Sequence, residues 1–270
     1  MGKTFPLTVV IATFNEEENI SRAINSIRDI ASEILVIDSG SSDKTVEIAE
    51  NLGAKVIYNK WENYPAQIQF GINKASNPYV FVIDADEEVS EELKDSIRQI
   101  FENKDVEKYA CFQINRKTFY LGKFLNFAWQ PEYRIRIFHK DKVKYEGFLH
   151  EKVICNGKVK KLKGDLYHYT YKDLEDQYKR LIKYSKLSAE GMYKNGGKFK
   201  LHKLILNPFW GFFREYFLRL GFLDGIRGFS VAVSQFFYVF LKYLFLWEIE
   251  RKKQKQKSKI SVSTFNKKSF

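Results

Sequence analysis

The chain has no unbroken apolar run of the roughly 20 residues that a membrane span needs. Its best stretch, Phe229 to Leu241, is uncharged, but Lys242 then interrupts an apolar run that ends at Trp247. The N-terminus enters a strand pattern at once, without the apolar region or cleavage site of a signal peptide, so none is expected. Cysteine is scarce: Cys111 and Cys155 are the only two in 270 residues. Their spacing is not that of a zinc site and fits a reducing compartment. The turn after the first apolar strand has no glycine, which disfavours a dinucleotide-binding oxidoreductase, and a Walker lysine loop is absent too. From Arg251 onward there is no acid against eight Lys and Arg, so a formal charge of +12 falls to +4 for the remainder. The positive charge is therefore mainly a tail rather than a cleft, which disfavours a nucleic-acid-binding protein.

What is present is organised around Tyr79-Val80-Phe81-Val82-Ile83-Asp84-Ala85-Asp86-Glu87-Glu88. An apolar run of this kind suits a strand buried on both faces of a parallel sheet. Its carboxylates then fall at the C-terminal edge, where open α/β sheets bind ligands. If the backbone stays extended, Asp84 and Asp86 point to the same side. Paired hard oxygen ligands that leave other positions open suit Mg²⁺ or Mn²⁺ carrying a diphosphate. Upstream, Leu7 to Ala12, Ile34 to Ile37 and Ala54 to Tyr58 read as strands, with helices starting near Ile20, Val46 and Tyr64. Ser42 or Asp43 is expected to cap the second helix. The order β-α-β-α-β-α-β predicts an α/β fold, a mostly parallel sheet with helices on both faces. Three polar clusters then share one sheet edge: Thr13 to Glu17, Asp38 to Asp43 and Asp84 to Glu87.

Three motifs in order, Val9-Val10-Ile11-Ala12-Thr13-Phe14-Asn15-Glu16-Glu17, Asp38-Ser39-Gly40-Ser41-Ser42-Asp43-Lys44-Thr45 and Asp84-Ala85-Asp86-Glu87, resemble the family 2 glycosyltransferases of GT-A fold. The resemblance covers about the first 150 residues. It implies that Thr13, Asn15 and Glu16 line a uridine pocket and that Asp38 binds the base or ribose of a nucleotide-sugar. Asp84 would hold nucleotide or metal, and Asp86 would ligate the metal that bridges the diphosphate. The closer likeness is to lipopolysaccharide core β-glycosyltransferases of the WaaE/KdtX type. It rests on Trp61-Glu62, Gln67, Arg116 to Gly122, Arg134 to Phe138, Gly147-Phe148-Leu149-His150-Glu151 and Tyr167-His168-Tyr169. Where those proteins carry Gln-Arg-Asn, this chain has Gln67-Ile68-Gln69, which removes a fixed cation. Gln67 and Arg136 join the expected nucleotide-sugar contacts.

Tyr133 to His139 reads as a strand with one basic face, Arg134 and Arg136, either solvated or bound to a donor or acceptor phosphate. An inverting transfer needs a carboxylate to take the acceptor hydroxyl's proton, and Glu151 is the candidate base. His168 is read as a metal ligand or a core histidine. Residues 1–172 form the expected catalytic domain, 173–250 a helical membrane-associating extension, and 251–270 a basic, flexible tail. Aromatics flanked by Arg214, Arg219, Arg227 and Lys242 suit helices lying in a membrane interface, and the tail suits anionic lipid. The expected function is transfer of a hexose from a nucleotide-sugar, UDP-linked, to a lipid-anchored saccharide at the cytoplasmic face of a membrane. A polyprenyl-phosphate sugar transferase, whose acceptor needs no base, and a transferase-like scaffold without catalysis are the alternatives. Oligomeric state is not legible.

Overall fold

A computed structural model describes residues 4–146 and 152–266. In chain order its elements begin β1 (Phe5–Thr13), α1 (Ile20–Asn25), β2 (Ala31–Asp38), α2 (Thr45–Asn51), β3 (Lys55–Tyr58), α3 (Tyr64–Lys74) and β4 (Tyr79–Asp84). There follow β5 (Glu87–Val89), α4 (Glu91–Glu102), α5 (Asp105–Lys108), β6 (Cys111–Tyr120), β7 (Lys123–Phe124) and β8 (Tyr133–His139). The chain then forms β9 (Val143–Glu146), β10 (Lys152–Cys155), β11 (Val159–His168), α6 (Leu174–Lys194), α7 (Leu201–Phe213) and α8 (Ile226–Asn266). Two compact units result: Met1–Phe119 with Pro131–Thr170, and Tyr120–Gln130 with Tyr171–Phe270.

In the first unit the sheet runs β3-β2-β1-β4-β8-β6-β11-β5. The first four strands are parallel to one another, and β8 lies antiparallel between β4 and β6. The fold is thus the α/β architecture that the GT-A resemblance implies, with helices on both faces. Unbroken apolar runs in β1 and β4 allow this, because each strand must bury both faces. Val9, Ile11, Phe81 and Ile83 pack with Ile20 and Ile24 of α1 and with Leu93 and Ile97 of α4. Val10, Val80 and Val82 pack with Ile68 and Ile72 of α3 on the opposite face. Ser90 caps α4 by accepting from Leu93 N at 3.2 Å, and Asn63 caps α3 by accepting from Ala66 N at 3.0 Å.

Asp43 supplies the bond expected of a cap, its Oδ1 accepting from the backbone N of Thr45, the first residue of α2, at 3.0 Å, with Lys44 between them giving no side-chain cap bond. One local expectation is corrected. The cysteines, read as fitting a reducing compartment, are joined in the structure as a Cys111–Cys155 disulfide, with Cα atoms 6.5 Å apart. It ties the start of β6 to the end of β10. Sequence spacing could not show this, because the fold alone brings the two strands together.

The second unit is helical. Ala189 of α6 packs with Val239, Tyr243 and Leu246 of α8. Gln177 on α6 donates to Ser234 Oγ on α8 at 2.9 Å and accepts from Tyr120 Oη at 2.7 Å. The Asp224 carboxylate accepts from the backbone N of Asn126, Phe127 and Ala128 at 2.8–3.0 Å. That pins the Tyr120–Gln130 segment to the helices. Helix α8 runs on through Asn266, across the stretch expected to be a flexible tail. Its Ile226–Gln254 portion is long and apolar enough to cross a membrane by length and composition. Lys242 lies within that portion, so no unbroken apolar run of that length exists, but the helix continues through it.

Helix α7 carries Leu201, Ile205, Phe209 and Phe213 at fourfold spacing, with Leu206 and Trp210 beside them, and all six are exposed. Phe217, Leu218, Phe222, Leu223 and Ile226 continue the exposed apolar surface into the start of α8.

Candidate active site

The parallel register sets Thr13 opposite Asp38 and Ala12 opposite Asp84, so three polar strand ends lie side by side. The loops after β1 and β2 are knitted together by hydrogen bonds. Asn15 takes a left-handed backbone (φ 56°), its N–H donating to Ser41 Oγ at 2.9 Å and its Oδ1 accepting from Ser42 N at 2.8 Å. Glu16 N donates to Thr45 Oγ1 at 2.7 Å. Asp38 is buried and accepts from the backbone N of Gly40 and Ser41 at 2.7 and 2.9 Å. Gly40 has a φ of 100°, a conformation that side chains disfavour, and this lets the loop close on that carboxylate.

Gln67 is 1% exposed. Its amide accepts from Asn59 at 2.7 Å and donates to Ser39 Oγ at 3.1 Å and Ile37 O at 3.3 Å. It therefore braces the ends of β2 and β3.

The acidic strand does not stay extended through Asp86. Ala85 and Asp86 form a turn between β4 and β5, the latter pairing with β11, and Asp84 N donates to Glu87 Oε2 at 2.8 Å. The expectation that Asp84 and Asp86 point to one side of a strand is corrected accordingly. The two carboxylates have different surroundings. Asp84 accepts from Tyr64 Oη at 2.6 Å on one oxygen and from Arg136 Nη2 at 3.2 Å on the other. Asp86 Oδ2 lies 3.4 Å from His168 Nε2. His168 Nδ1 is 2.6 Å from Thr170 Oγ1, a contact that orients the ring.

Arg136 owes its position to a β-bulge. Phe112 pairs with Ile137 and Gln113 with Ile135, so Arg136 is the extra residue of β8. The bulge aims its guanidinium at the buried acids: Nη2 also donates to Glu87 Oε1 at 2.8 Å. Glu87 is fully buried, and burial pushes its carboxyl up to about 7 against the pull of Arg136. Burial also opposes charge on Asp84, but Arg136, the Tyr64 hydroxyl and Arg116 outweigh it and hold that carboxyl below its ordinary value. Arg116 itself forks onto Glu132 through Nε and Nη2 at 2.9 and 3.0 Å. Tyr64 and Glu87 are not among the expected site residues, although Glu87 belongs to the Asp84 to Glu87 cluster and Tyr64 marks the expected start of the third helix. Glu151 and the rest of Gly147 to His150 lie outside the described residues.

No group of three or more His, Cys, Asp or Glu placed to hold a metal occurs among the described residues. Asp86 and His168 are close enough that they could serve as two ligands of a divalent ion, which would leave its other positions open. Asp84 has both oxygens committed to protein donors.

Residues 8–156 match the model of "Glycosyl transferase family 2". The chain belongs to glycosyl transferase family 2. It is a glycosyltransferase. An uncharacterized glycosyltransferase of Rickettsia typhi is 34% identical over 91% of this chain and 88% of its own length. The lipopolysaccharide core biosynthesis glycosyltransferase LpsC of Rhizobium meliloti is 28% identical over 87% of this chain and 90% of its own. Among solved structures, S. aureus TarS 1–349 in complex with UDP-GlcNAc aligns at a TM-score of 0.47 and 14% identity, over 86% of this chain and 81% of that one.

The buried acids of this glycosyltransferase set a pH dependence. Folded Glu87 holds its proton up to about pH 7, whereas an unfolded glutamate releases it near 4.5. Between those values the folded state binds more protons, so stability falls as pH rises through the window. Urea unfolding of metal-free protein should show a loss of up to about 3 kcal/mol from pH 5 to pH 8. Glu87→Gln should flatten that slope. Equal slopes in the two proteins would show that Glu87 is ionised throughout.

Proposed function

We propose that this glycosyltransferase moves a hexose, with inversion, from a UDP-sugar to a lipid-anchored saccharide of the lipopolysaccharide-core kind. The observation that carries the proposal is the register aligning Thr13, Asp38 and Asp84 at one sheet edge, with Asp86 and His168 just beyond. A nucleoside resting on the β1 and β2 loops would have its diphosphate at the end of β4. Asn15, Glu16 and Asp38 shape the nucleoside side. Arg136 and Tyr64 fix Asp84, so the acid faces the donor in one orientation. Asp86 and His168 would hold Mg²⁺ or Mn²⁺, which supplies charge neutralisation for the departing diphosphate. Glu151, in the His-Glu pair after β9, is assigned as the base that takes the acceptor hydroxyl's proton. The name of the LpsC relative supports the lipopolysaccharide acceptor.

The exposed stripe of α7 supports a membrane-borne acceptor. Large side chains such as Phe209 (63% exposed) and Trp210 (56% exposed) form an apolar surface that a soluble monomer rarely shows. Lys200, Lys203, Arg214 and Arg219 lie among them, a pattern that suits a helix seated among anionic headgroups. We propose the cytoplasmic face of the membrane as the site of action, a placement against which the Cys111–Cys155 disulfide counts, since disulfides are rare in a reducing compartment.

Calorimetry should show UDP binding that needs Mg²⁺ or Mn²⁺ and is lost in Asp86→Ala. Undiminished UDP affinity in excess chelator would overturn the metal assignment. Glu151→Gln should bind UDP normally yet turn over at least about 100-fold more slowly. Near-wild-type turnover would move the reaction to a phosphate acceptor that needs no base. Full-length protein should co-sediment with anionic vesicles more than neutral ones, and Phe209→Glu with Trp210→Glu should release it. Protein that stays in the supernatant with both, and is a dimer by light scattering, would make this face a subunit interface.

A further inference from the structure

Beside the Arg136 bulge lies a cavity of about 190 Å³ lined by Gln113, Tyr133, Arg134, Arg136, Tyr145 and Val153. Its place in the sheet separates it from the nucleoside side. The β1 and β2 loops flank β4 on one side, and β8 and β6 flank it on the other. A donor laid across the β4 edge, as proposed above, therefore has this cavity on the side left for its acceptor. At this volume the cavity falls short of a complete small-molecule site and suits one substituent of a larger ligand.

The lining gives that substituent a sign. Among the described residues that line the cavity there is no carboxylate, whereas there are two arginines. Arg134 places Nε and Nη2 on one oxygen of Glu132, at 3.0 and 2.7 Å, and its Nη1 meets no acceptor among the described residues. Its side chain is 47% exposed, so it is free to turn toward a ligand. Arg136 is 5% exposed and gives Nη2 to Asp84 and Glu87, but its buried Nε has no hydrogen-bond partner among the described residues. A buried donor left in this way marks a place where a partner is missing. The Lys161 ammonium sits 4.1 Å from the centre of the ring of Tyr133, one of the lining residues. Arginine forks match planar or tetrahedral oxyanions with two parallel hydrogen bonds.

We propose that this cavity is an oxyanion subsite for the acceptor, taking a carboxylate or phosphate carried on the acceptor saccharide. The acceptor role rests on the donor placement above, whereas the anion site rests on the cavity itself. An oxyanion held here would anchor the acceptor by its charge and leave its hydroxyl to be set by the geometry of the sugar.

The test uses full-length protein at fixed ionic strength, with thermal unfolding followed against inorganic phosphate, acetate and, as reference, chloride. Saturable stabilisation in the millimolar range by phosphate or acetate, beyond chloride, is expected. The better of the two distinguishes a phosphate-bearing from a carboxylate-bearing acceptor. Arg134→Gln should weaken that response at least about tenfold and leave UDP affinity with Mn²⁺ unchanged. UDP should not displace the anion. No response beyond chloride, or a response that survives Arg134→Gln, would overturn the subsite. Displacement by UDP would also overturn it, by placing the anion in the donor site. An anion response that Arg134→Gln removes, in a protein that binds no UDP, would support the subsite while defeating the donor assignment.

Discussion

The candidate site depends on one guanidinium shared by two carboxylates, Glu87 fully buried and Asp84 partly exposed. Arg136 reaches Asp84 and Glu87 from a bulge in a strand antiparallel to theirs. Removing one member of such a cluster leaves an uncompensated buried charge, which costs about 3–5 kcal/mol. The same contacts keep Asp84 ionised at the sheet edge and leave Glu87 poised near neutrality. The turn at Ala85 and Asp86 follows from this arrangement. Glu87 must come back under Asp84 to meet the arginine, and the chain between them has two residues in which to do it. Asp86 is thereby put outside the cluster, within reach of His168.

Much of the fold was legible because it is local. Apolar runs such as Val80 to Ile83 read as strands buried on both faces, and apolar periodicity placed helices near Ile20, Val46 and Tyr64. The shared edge of Thr13, Asp38 and Asp84 followed from the alternation of strands and helices. What escaped depends on partners distant in sequence. The bulge at Arg136 exists only in register with Phe112 and Gln113, and the disulfide only because β6 and β10 meet. The amide of Gln67 gave no sign that it braces β2 and β3. Lys242 looked like the end of an apolar run, yet a long lysine stem is easily accommodated on a helix that is only partly packed.

The helical unit divides its side chains by chemistry. Those facing inward make specific pairs, such as Gln177 with Ser234 and Asn207 Nδ2 with Tyr243 Oη at 2.8 Å. Those of α7 facing outward are large, apolar and without such pairs. Asp224 gathers three backbone donors of the Tyr120–Gln130 segment, whose ends continue into β6 and β8, the strands that carry Arg116, Arg134 and Arg136.

The two ends of the sheet have a consequence for solubility. Strand β3 is four residues long and opens on Lys55, and β5 is three residues long. Where β5 stops short, α4 covers β11. A Cβ on Gly164 would meet the backbone of Leu93, and Ser90 N donates to Asp165 O at 3.1 Å. Neither end offers a long, flat ladder of unpaired backbone groups to a neighbouring molecule. Growth of filaments by strand addition is thereby discouraged at both margins, and concentrated protein would be expected to self-associate through greasy helix surfaces instead.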